Sequence, residues 1–268
     1  MAIQTAMPSL KTPTTMEAVV MNAHSNRRSN SIETALQISQ NGATFFSQGR
    51  IQDAMACFRC VLSMLKAGFK TTVGQYCCSP FPSAMPIPSH NMGEVSFRAD
   101  GLILQPVALS PSLLAQDDER SMVVASAVAV YNLAIAHHAA SQQQTSAEDC
   151  HFYMTSALKL YTLVQSLQQQ ADSYHDSIMF SSSADREFSF LLESMIRIAT
   201  LHNAGVLLTA TGESQQAHDV FEHLYRVVFN LGVTPRDFEA RHFDLNAVMA
   251  RVLLELNVLK ESHAAPCA

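Results

Sequence analysis

From Asn30 onward, apolar residues return at the spacing of an α-helix. Ile32, Leu36, Ala43 and Phe46 lie near one stripe, with Ile38, Gly42 and Phe45 beside it. Asn30 with Glu33 three residues later has the form of a capping box and marks the expected start of this helix. Gly49–Arg50 interrupts the pattern, and Ala54, Phe58, Val61, Leu62 and Leu65 resume it up to a stop expected at Gly68. Two helices with so short a break fold back antiparallel. Residues 71–116 lose the periodicity. Six prolines between Pro80 and Pro111 exclude a continuous helix there, and Asp100–Gly101 between Phe97, Leu102, Leu104 and Val107 predicts a short β-hairpin. Helical patterning returns from about Asp117 to Ala140. Ser146 with Asp149 caps a further helix through Phe152, Ala157, Leu158, Tyr161 and Leu167. After a polar connector over 170–184, a long helix reaches Thr211, Gly212 breaks it, and a partner runs to Leu231. A last helical stretch spans Leu245–Val258.

One register occurs twice. Gly42, Phe45, Gly49, Ala54, Phe58 and Val61 sit at offsets 0, 3, 7, 12, 16 and 19, and Gly205, Leu208, Gly212, Ala217, Phe221 and Leu224 repeat those offsets. The first glycine lets the second helix approach closely, and the second ends the helix in a left-handed conformation. The alanine sits at the close approach, and the phenylalanine fills the space toward the next hairpin.

These offsets, in QNGATFFSQGRIQDAMACF and NAGVLLTATGESQQAHDVF, resemble those of tetratricopeptide (TPR) repeats, without the family's Trp and trailing Pro. Asn132-Leu133-Ala134 starts a stretched middle unit in which Met154 and Ala157 take the roles of Phe221 and Leu224. Asn246-Ala247-Val248 starts a capping helix. Gly42 to Ala134 is 92 residues and Ala134 to Gly205 is 71, against about 34 for regular units. The resemblance implies an all-α, TPR-like domain over residues 31–259, with antiparallel hairpins stacked in a right-handed array around a Pro-rich insertion at 71–116. Residues 1–30 are expected to be disordered and 260–268 frayed.

The chain is 48% hydrophobic and only 15% charged, with a net charge of −6. It can therefore build a core, but it lacks the clustered Lys and Arg that phosphate binding requires, which excludes nucleic acid as the main ligand. Met1–Leu10 has no charged stretch followed by an apolar run, so no secretory start is expected, and reduced thiols in the cytoplasm or nucleus are. Met122–Ala140 is apolar, but its alanines, Ser126, Asn132 and His137–His138 predict a buried core helix and no membrane span.

The TPR resemblance implies non-catalytic binding of a partner peptide or helix on a concave surface, as an adaptor or scaffold. On this register Tyr131, Asn132, His138, His202, Asn203 and Thr209 are the candidate partner-binding residues. Asn132 and Asn203 occupy equivalent positions, and each amide offers both a donor and an acceptor to a backbone; the competing role for both is bonding between helices. The same faces carry Ser39, Ile135 and Val206 and no cation cluster, so the groove favours an apolar segment of a partner or packing of the chain's own insertion. Cys57-x-x-Cys60 with Cys77–Cys78 has poor geometry for zinc, and the thiols are expected to act as buried apolar groups. His137–His138 with Glu148, Asp149 and His151 lacks a catalytic spacing, and no Gly-rich phosphate loop exists. No catalytic residue, metal or cofactor is therefore expected. The alternatives are a cofactor-binding or enzymatic helical domain and a self-associating structural protein.

Overall fold

The computed structural model describes residues 15–72, 106–109, 113–114, 118–174, 183–231, 252–254 and 256. Among the described residues the chain is all-helical, without strands. The helices are α1 (Thr15–Ser47), α2 (Ile51–Thr72), α3 (Glu119–Gln142), α4 (Ala147–Ser173), α5 (Ser183–Ala210) and α6 (Ser214–Leu231). Val252–Leu254 and Leu256 are also helical, within the stretch that the periodicity marks as the last helix.

Each helix packs mainly on its neighbours in sequence, with a further contact between α3 and α5. Tyr161 meets Asn203 and Gln168 meets Glu193, so α4 and α5 run antiparallel. Arg120 meets Glu193 near the start of α3, and His138 lies beside His202 near its end, so α3 and α5 run parallel. The Arg120–Glu193 ion pair is buried, with the guanidinium Nη2 at 2.7 and 2.9 Å from the two carboxylate oxygens.

The two hairpins marked by the repeated register end their first helices identically. Gly49 and Gly212 have φ of 74° and 81°. Arg50 N–H donates to Phe45 C=O and Gly49 N–H to Phe46 C=O; Glu213 N–H donates to Leu208 C=O and Gly212 N–H to Thr209 C=O. Both are Schellman caps, closed by a glycine free to adopt the left-handed region. A Cβ at Gly212 would meet no atom within 4 Å. Gly212→Ala is therefore expected to cost about 1–2 kcal/mol, from backbone conformation alone. A urea titration checks this value.

The helix bounds differ from expectation in places. Helix α1 begins at Thr15 rather than Asn30, so residues 15–30, expected to be disordered, are helical. From Thr14 to Asn41 the chain has neither proline nor glycine, so nothing stops the helix short of Pro13. Helix α2 passes Gly68 and ends at Thr72, because one glycine costs a helix only about 1 kcal/mol. Helix α3 starts after Asp118, whose carboxylate accepts from Ser121 N–H and from its hydroxyl. The Ser146 cap forms as expected and accepts from Asp149 N–H. The β-hairpin expected around Asp100–Gly101 lies outside the described residues apart from Val107, which is in no strand and pairs elsewhere.

Helix α3 is the core of the molecule. Among the described residues it is the one helix long and apolar enough to cross a membrane, yet 89% of its most apolar window is buried inside the protein. Helices α2, α4 and α5 supply part of that cover.

Candidate functional site

The surface of α3 around Asn132 combines small side chains with one polar group. Ala125, Val128, Ala129 and Ala136 lie seven, four and three residues before Asn132 and four after it, on the same side of the helix. All are buried. Small side chains along such a face leave room for another backbone to come close. Asn132 Oδ1 accepts from Val107 N–H and Asn132 Nδ2 donates to Val107 C=O, both at 2.8 Å. A carboxamide has the same planar donor–acceptor pair as a peptide unit. It therefore serves Val107 as one rung of a β-ladder, exchanging two bonds with one residue. Helix α3 could not supply this from its own backbone, whose groups are used within the helix.

The segment gripped in this way is Pro106-Val107-Ala108-Leu109. Val107 and Leu109 are buried, and Ala108 between them is exposed. That alternation has the period of two of an extended chain. Leu113 and Leu114 join the same apolar core.

A second polar cluster lies on the neighbouring face of α3. Asn203 Nδ2 donates to the Tyr161 hydroxyl at 3.2 Å, and that hydroxyl is 3.3 Å from His138 Nδ1. The Tyr161 hydroxyl thus links Asn203 of α5 to His138 of α3. Burial holds the Tyr131 phenol un-ionised, and it does the same for Tyr161, reinforced by the nearby Tyr131. Burial, and then the neighbouring His202, push the His138 pKa down to about 4. His202 meets the Phe221 ring edge-on at 6.4 Å between centroids.

His137 points the other way, toward α2 and α4. Its Nε2 lies 3.4 Å from Arg59 Nη2, and its ring is 5.7 Å from that of Tyr153. Arginine can only donate, so His137 Nε2 accepts and the ring is neutral. Burial, followed by the Arg59 charge, lowers its pKa to about 4.

The candidate residues thus divide into three places. Tyr131, His138, His202 and Asn203 lie buried around Tyr161, where Asn203 bonds between helices. Asn132 is buried on the other face and holds the N–H and C=O of Val107. Thr209 is exposed near the end of α5, its hydroxyl donating to Gly205 C=O. Sequence reasoning missed Val107, Leu109 and Tyr161. The alternation after Pro106 was a signal for the first two; nothing local marks Tyr161 as a hub.

Cys57 is half-buried on α2, and its thiol pKa is raised by burial and by Asp53. Cys60 is exposed, contrary to the expected burial, because it falls on the solvent side of α2. Cys77 and Cys78 lie outside the described residues. Among the described residues no three His, Cys, Asp or Glu side chains gather as a metal site.

No family model, curated protein or solved structure matches this chain.

Proposed function

We propose that this protein is a non-catalytic protein-binding scaffold built from TPR-like helix hairpins, stacked in a right-handed array. Its partner is an extended apolar peptide segment that lies along α3 and is held by Asn132. The two-point bond from Asn132 to the Val107 backbone carries this reading, since it exemplifies the capture such a partner needs. The parallel run of α3 and α5 supports it, because first helices of successive hairpins line one side of a TPR-like stack. Tyr131, His138, His202 and Asn203 act by fixing how α3, α4 and α5 meet, and Thr209 lies at the rim. Such a scaffold works in the cytoplasm or nucleus, without nucleic acid or membrane.

Proximity labelling with three forms of the chain tests the proposal. Asn132→Leu removes the amide at nearly constant volume. It is expected to lower stability by about 2–4 kcal/mol, since Val107 N–H and C=O lose their partner. Gly212→Ala is the control for destabilisation alone. The expected outcome is a set of partners kept by wild type and Gly212→Ala and lost by Asn132→Leu. The same partner set for wild type and Asn132→Leu would sink the proposal.

Self-association at the end of the array is a second reading, favoured by α6. Tyr225 and Phe229 stack there at 6.3 Å, and Phe229 is 76% exposed. Sedimentation at two concentrations, with wild type and Phe229→Ser, checks it: the wild type alone should show mass rising with concentration.

A further inference from the structure

The groove proposed for a partner is already filled by the chain itself. Val107 takes both bonds that Asn132 can offer to an extended backbone. Val107 and Leu109 enter the core while Ala108 remains outside. In binding by strand-like segments, backbone bonds give affinity and pockets for alternate side chains give specificity. Here one chain supplies the backbone bonds, and two alternate side chains beside them are buried.

Building on that proposed function, we infer that Pro106–Leu109 is a surrogate ligand bound in cis, and that the partner segment repeats its pattern: an apolar residue, a small one, then an apolar one, in extended conformation. Asn132 reads the backbone of the first apolar residue. The Val107 and Leu109 positions select branched aliphatic side chains. The Ala108 position tolerates most residues, since it is exposed. A partner binds by displacing the cis segment, so the groove is autoinhibited. An intramolecular segment competes at an effective concentration in the millimolar range. Only partners presenting a better apolar pair, or several such segments, therefore gain access.

Two measurements test this. The first is native-state hydrogen exchange on the full wild-type chain, which needs no variant to fold. A displaceable segment opens without global unfolding. The Val107 amide is then expected to be at least about 100-fold less protected than the α3 amides from Ala127 to Ala136. Equal protection would mean that the segment leaves only when the whole fold does, and would overturn the inference. The second uses a fluorescent peptide of residues 106–114, PVALSPSLL. Anisotropy should show it binding the full-length Val107→Ser chain at least about 10-fold more tightly than wild type, since the weakened cis segment competes less. The same peptide with serine at its Val and Leu109 positions should bind neither. Equal binding to both chains, or binding to neither, counts against a cis ligand. So does a wild-type dimer that the peptide dissociates, because the occupant would then come from a second copy. None of these failures touches the dependence of partners on Asn132, which the labelling experiment reads separately.

Discussion

Acidification from pH 7 to pH 4 is expected to remove about 3 kcal/mol of folding stability for each of His137 and His138. In the folded chain both imidazoles have pKa values of about 4, for which burial is the first cause. In the unfolded chain they take up protons at the ordinary 6.5. Between those values the unfolded state binds more protons, so stability falls as pH falls. It is fully present above about pH 6.5 and lost on the way to pH 4. Each proton disrupts a specific arrangement. On His137, a charged ring faces the Arg59 guanidinium from α2, with Tyr153 from α4 beside it. On His138, the charge is buried beside the Tyr161 hydroxyl of α4 and faces His202 of α5. Urea midpoints measured from pH 7 to pH 4.5 on wild type and on the double variant His137→Gln, His138→Gln check this. Near pH 5 the wild type should take up close to two more protons on unfolding than the variant does. Parallel stability curves for the two proteins would show that these histidines are not buried neutral.

Phe221→Ala is expected to cost about 3–5 kcal/mol, and Gly205→Ala about 1–3 kcal/mol. Phe221 is fully buried, and its ring lies over Gly205 so closely that an added Cβ would be 2.7 Å from Cε1 and Cζ. The ring cannot swing away without losing its packing against His202. The double variant should cost less than the sum of the two, because the alanine methyl occupies part of the space vacated by the ring. The first hairpin repeats the arrangement, with a Cβ at Gly42 placed 2.7 Å from Phe58 Cε1. A four-protein cycle of chemical denaturation in each hairpin measures the coupling. Additive costs would contradict the close approach of glycine and ring.

How much was legible in the sequence follows the range of the forces involved. The register had turned Phe58 and Phe221 toward the next hairpin, whereas each ring lies over the glycine of its own. The glycine stops at 49 and 212, the Ser146 cap and the close approach of helices at Gly42 and Gly205 all depend on residues within about 16 positions of one another. Local sterics and helical geometry decide them, so a periodic pattern is enough to find them. The start of α1 was misplaced for a related reason. The Asn30–Glu33 pattern has the form of a cap, but a cap forms only where the chain ahead of it leaves the helix, and residues 15–29 do not.

Asn132 and Asn203 show where local reasoning ends. The TPR resemblance sets them at equivalent positions, Asn132 in the stretched middle unit; their hydrogen-bonding chemistry is the same, and their uses differ. Asn203 faces Tyr161, 42 positions earlier, and joins two helices; Asn132 faces Val107 and holds the backbone of a non-helical segment. Only the packing of α3, α4 and α5 decides which amide faces another helix and which faces the 106–109 segment. The same packing buries Tyr131 and His202, which the register had placed toward an open surface. The sequence by itself determined the helical class, the hairpin turns and the close glycine contacts. The tertiary structure decided which face of α3 meets other helices and which holds the 106–109 segment, because that depends on contacts between residues far apart in the chain.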